Sequence, residues 1–306
     1  MRQFAAGLPE ALCSGGRSAL AIRWQLSKHE MVEESAALAV GGKAMATMTV
    51  QTSEKIHSAD GPNTAKGSFW RWTGVFGLAV VALSWAQFPL YSMGGTPPAY
   101  NGAAYAQHLY NSQTAVFTRI LLDLGLYVAF MIFAARLAYL VREARRESSW
   151  LGTLLFGAAA VWIGVTLVAN GLEGGAALDT LKGNADASAV RALIDGTLPI
   201  YNGPIAFVIT ALFVGAAGYA TFSTGILPRW TGWIAYLAAA LCVISVPAIY
   251  AGPLDYGGFY NAGGWGPAII ANFPPLIWFL VVGIVMVRRK ATASGAPGAE
   301  ASRLTQ

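Results

Sequence analysis

The chain has 306 residues, of which 55% are apolar and only 11% charged, and its formal net charge is +5. A soluble domain carries about 25% charged residues, so an ordinary water-soluble fold is excluded. The basic residues gather at the ends of long apolar runs and not along an aromatic-interleaved groove, which argues for membrane orientation and against nucleic-acid binding.

Residues 1–67 are polar and hold no apolar run long enough for a secretory signal. They read as a disordered cytoplasmic leader, within which Met31, Met45 and Met48 are alternative starts. A six-span domain follows over 68–290, with spans expected at about 72–91, 115–141, 150–171, 200–222, 230–250 and 267–287. Each run has the ~20 residues that a helix needs to cross a bilayer. Residues 291–306 read as a disordered cytoplasmic tail. The fold class is therefore all-α, a polytopic membrane helix bundle of six transmembrane helices. Arg142, Arg145, Arg146, Arg229, Arg288 and Arg289 fall on alternate connections, so the positive-inside rule puts both termini in the cytoplasm.

The second run, AVFTRILLDLGLYVAFMIFAARLAYLV, holds the features most indicative of function. Arg119 and Asp123 are one helical turn apart on one face, and Tyr127 continues it. A charge at membrane depth costs about 2.5–3.5 kcal/mol on insertion scales unless it is paired or wetted. Arg ahead of Asp is the weaker order for an i, i+4 pair, which favours partners on other spans.

Polar residues of the other spans lie toward the outer side: Ser84, Gln87 and Tyr91, then Thr166, Asn170 and Glu173, then Tyr201 and Asn202, Ser245 and Asn272. The inner halves read as nearly purely apolar, with small residues such as Gly157, Ala211 and Gly215 suited to close packing. The expected site is thus an outward-facing polar vestibule formed by Arg119, Asp123, Tyr127, Asn170, Glu173, Asn202, Asp255 and Asn272. Pro274 and Pro275 should kink the sixth span below Asn272, and Tyr256, Tyr260 and Trp265 could form a lid. Glu173–Thr197, Ser92–Thr114 and Ala251–Gly266 are expected as long outer loops, the first containing a short surface helix, Asp186–Ile194, capped by Asp186.

At 225–232 the chain reads GILPRWTG. This short Leu-Pro-Arg-Trp inner loop, with the Arg and Asp early in the second span, resembles a broad group of uncharacterised bacterial multi-pass membrane proteins. The resemblance implies the six-span architecture and a bacterial inner membrane, and no activity.

The sequence holds no GxxxxGK[ST], HExxH, CxxC or GxSxG motif. Cys13 and Cys242 make no disulfide framework. His29 and His57 lie in the leader and His108 in a loop, so no metal or haem centre and no cofactor is expected. The partners expected are the lipid bilayer and a small molecule or ion. Three functions compete: a small-ligand or ion-binding transport protein, a non-catalytic accessory or assembly subunit, and a membrane enzyme with outer-face carboxylates.

Overall fold

A computed structural model describes residues 62–93, 101–181, 183, 185–251, 259–261 and 264–289. The leader up to residue 61, the tail from 290, Asp255 and Tyr256 lie outside the described residues. The helices are α1 (Pro62–Ser92), α2 (Gly102–Ala144), α3 (Ser149–Thr180), α4 (Ala187–Tyr201), α5 (Pro204–Thr224), α6 (Arg229–Ser245) and α7 (Phe273–Arg288). A 3₁₀ turn, Val246–Ala251, extends α6, and a π turn, Ala268–Asn272, leads into α7. No strand occurs among the described residues, and six helical segments are long and apolar enough to cross a membrane. Large apolar side chains such as Leu121, Val128, Leu237 and Val243 are exposed on their outward faces, as a lipid-facing surface requires and a water-facing one would not.

The chain runs up and down between two ends. At the basic end, the Arg145 guanidinium donates to the Ser223 carbonyl, and Arg289 donates to the Ile226 carbonyl at 2.6 Å. Arg289 also lies 4.1 Å from the centre of the Trp70 ring, so the start of α1 and the end of α7 share this end. The turn from α5 to α6 is made by Gly225, whose φ of 66° is left-handed and whose N–H closes on the Thr221 carbonyl. Pro228 then caps α6.

Between the ends is a dry core. Phe130 and Phe133 of α2, Phe213 of α5, and Trp278 and Phe279 of α7 form an aromatic cluster with centroids 5.0 to 6.3 Å apart. Trp278 is fully buried, and its Nε1 has no hydrogen-bond partner among the described residues. Beside this core α1 crosses α7 without room for side chains. A Cβ on Gly74 would sit 2.6 Å from the Gly283 carbonyl, and one on Gly283 would sit 2.9 Å from Leu78.

The second span departs from the expectation in length. Asn101 caps α2 by accepting the Ala104 N–H, and the helix then runs 43 residues through the stretch expected as a loop. At 1.5 Å per residue α2 is about 65 Å long, against a hydrocarbon thickness of about 30 Å. Its first third packs with the end of α3 and with α4 as a second small core of Leu109, Val116, Ala176, Ala177, Val190 and Ile194. The surface helix expected after Glu173 is α4, and Asp186 is its N-cap, accepting from the Ser188 N–H at 2.8 Å. Bonds from the Ser188 hydroxyl and from the Ser188 and Ala189 amides hold the Asp186 carboxyl below the usual carboxylate range.

Two outcomes follow. Gly74→Val should destabilise the detergent-solubilised protein by about 1–3 kcal/mol, the usual range for overpacking, read as a lower thermal midpoint. Asp186→Ala should speed amide exchange at Ser188 and Ala189. Because the folded carboxyl titrates below its ordinary ~3.9, the cap's contribution is complete above that pH. The gap in thermal midpoint between wild type and variant should close as pH falls below it.

Candidate functional site

The helical spacing that puts Arg119, Asp123 and Tyr127 on one stripe of α2 aims them at two neighbouring helices, α1 and α3. The Arg119 Nη2 donates to Glu173 Oε1 of α3, and both side chains are nearly closed off, at 12% and 13% exposure. The same guanidinium lies 4.2 Å from the centre of the Tyr91 ring of α1, a cation–π contact. Asp123 Oδ1 accepts from Gln87 Nε2 of α1 at 2.7 Å. Asn170 Nδ2 of α3 donates to the Tyr127 hydroxyl at 2.7 Å, and the Tyr201 hydroxyl, at the end of α4, donates to Asn170 Oδ1. The Asn170 amide also stands beside the Asp123 carboxylate, joining the two sets of bonds. Four helices are thus tied by one polar cluster.

Its depth comes from α2. Asp123 and Arg142 are about 28 Å apart along the helix at 1.5 Å per residue, close to a full hydrocarbon thickness of about 30 Å. In a bilayer with Arg142 at one surface, Asp123 would fall near the rim of the other and not at mid-membrane.

A second contact lies where two spans are interrupted. Asn272, in the π turn before α7, donates through Nδ2 to Asn202 Oδ1 at 2.8 Å, and Asn202 sits at the break between α4 and α5. Pro274 and Pro275 have no N–H to offer the carbonyls four residues back. One of those, Ala271, is met instead by the buried Cys242 thiol, whose Sγ lies 3.3 Å from the oxygen. The expected kink is therefore a widened turn whose freed Ala271 carbonyl accepts from a donor on α6.

No family model matches the chain, and neither a curated protein nor a solved structure matches it. The geometry alone carries the functional reading.

Of the expected residues, Arg119, Asp123, Tyr127, Asn170 and Glu173 come together, while Asn202 and Asn272 form their own pair. Ser84, Thr166 and Ser245 spend their hydroxyls on carbonyls of their own helices. Tyr260 donates to the Ile244 carbonyl near the end of α6, a capping role. His108 lies on α2, its ring edge-on to Tyr105 at 5.9 Å, where a loop was expected. Sequence reasoning passed over Arg136, which lies in the half of α2 expected to be apolar. Its Nε donates to the Thr73 hydroxyl at 3.1 Å and its Nη2 to the Phe69 carbonyl at 2.8 Å, with the guanidinium 3.8 Å from the Phe69 ring centre. The signal was present in the sequence, a third charge in the same apolar run.

Chemically, the cluster sets one guanidinium against two carboxylates. Among the described residues no three His, Cys, Asp or Glu side chains converge as a transition-metal site requires. Removing one partner of a buried ion pair costs about 3–5 kcal/mol, because the other charge stays buried. Arg119→Gln should therefore sharply lower thermal stability, and Arg119→Gln with Glu173→Gln should recover most of the loss, measured in detergent as a double-mutant cycle.

Proposed function

We propose that this chain is a multi-pass protein of a bacterial cytoplasmic membrane and that its polar cluster binds a monovalent cation, a proton or an alkali ion, at Asp123. The site serves ion-linked uptake or binding of a small solute from the outer side. The observation that carries this reading is the charge imbalance. Arg119 is bonded to Glu173 and acts on Asp123 only through space, whereas the groups bonded to Asp123 are the neutral donors Gln87 and Asn170. A carboxylate whose bonded partners are neutral donors, beside a guanidinium already bonded to another carboxylate, keeps acceptor capacity for a proton or a small cation. The grouping of Arg142, Arg145, Arg229, Arg288 and Arg289 at one end supports a cytoplasmic basic end, with both termini inside. The resemblance carried by GILPRWTG supports the bacterial membrane.

A second reading has its own support. The polar groups of the cluster are bonded to one another, as in a bundle locked for assembly with a partner subunit. In that case Asp123 is a tie and binds nothing.

The test is thermal unfolding of the purified protein across sodium, potassium and pH series. Binding at one site stabilises the fold by RT ln(1 + [L]/Kd), about 2.7 kcal/mol at a hundredfold excess over Kd. The midpoint should rise with one of these cations in wild type and stay flat in Asp123→Asn, which keeps a hydrogen-bonding group opposite Gln87. A wild-type midpoint indifferent to all three series would leave the locked-bundle reading standing.

A further inference from the structure

At the basic end, the turn between α5 and α6 and the last two turns of α7 enclose an open groove of about 660 Å³. Its walls are unequal. The part within the sixth span is apolar, lined by Val281, Ile284 and Val285. The part at the helix end is lined by Arg288 and Arg289, both exposed. Trp230, half exposed, stands at the mouth, where an indole favours the boundary between lipid and water. Arg289 is held in place by the Ile226 carbonyl and the Trp70 ring, which leaves most of its five N–H donors for another acceptor. Among the described residues no carboxylate lines this groove, whereas Glu143 lines the neighbouring one of about 460 Å³.

We infer that this groove is a binding site for an anionic glycerophospholipid, with the phosphate on Arg288 and Arg289 and one acyl chain along the α7 wall. The charge selects against a neutral head, and the apolar wall selects against a free anion. A slot open toward acyl chains and closed by two guanidinium groups at the water boundary suits an amphiphile with a negative head. The inference rests on the bundle spanning a membrane and is independent of a cation at Asp123.

The experiment is native mass spectrometry of the delipidated full chain in detergent with dioleoylphosphatidylglycerol or dioleoylphosphatidylcholine added at equal concentration. Phosphatidylglycerol should be retained preferentially. Arg288→Gln should weaken that retention about fivefold, and Arg288→Gln with Arg289→Gln about twenty-fivefold. Arg145→Gln, at the same end but outside the groove, should leave it unchanged. Val285→Trp, which fills the slot without altering charge, should weaken retention as well, and keeps the test open if the Arg289 variant fails to fold. Equal retention of the two lipids, or an Arg288→Gln variant no weaker than Arg145→Gln, would overturn the site. Displacement of the lipid by millimolar inorganic phosphate would reassign it to a free anion. A chain released from membranes by alkaline carbonate would remove the membrane-spanning reading and the lipid site together. A chain that resists carbonate but ignores the headgroup removes the lipid site alone.

Discussion

Arg119 and Glu173 are nearly closed off from solvent, where either charge without the other would be costly, and their pairing is the constraint from which the bundle's arrangement follows. It fixes how far α3 can slide along α2. About 26 Å further along, at 1.5 Å per residue, Arg136 does the same for α1 by holding the Phe69 carbonyl and the Thr73 hydroxyl. Between Tyr127, the last member of the polar cluster on α2, and Arg136 the core contacts are apolar, and within a bilayer apolar contacts alone set no register, since lipid tails are as apolar as Leu. The helix carrying both arginines is therefore the post against which its neighbours are positioned.

The two ends differ in electrical character. One gathers carboxylates, phenols and amides around a single guanidinium, and the other gathers arginines around apolar slots. A bilayer distinguishes them too, because anionic lipid and the basic ends of helices attract each other. The carboxylate-bearing end and the arginine-bearing end are thus separated by the dry aromatic core around Phe130 and Trp278.

Much of this was legible in the residues and some was not. The spans were legible because each long apolar run ends in Arg, Trp or Pro, and Asp186 because it stands just before a periodic run. The stripe Arg119, Asp123, Tyr127 was legible from spacing, but its partners were not. An i, i+4 pair suggests itself from sequence, and only packing shows that Glu173, fifty-four positions on, is nearer. The early start of α2 was hidden by polarity: 102–114 lacks the apolar period of a span because it lies beyond the hydrocarbon, and Asn101 was the cue. Arg136 was masked by its surroundings, since the alanines and leucines beside it give no hint that a carbonyl of α1 waits opposite. The prolines of the sixth span announced a kink, whereas the π turn depends on a thiol from α6 that no local pattern reveals.

The unbroken run of α2 has a mechanical consequence. Forty-three residues without a hinge make a single stiff shaft from the small outer core of Leu109 and Val190 down to Arg142 beside Thr153. Whatever tilts that headpiece therefore swings the opposite end of the shaft, so the two ends of α2 act as the two arms of one lever.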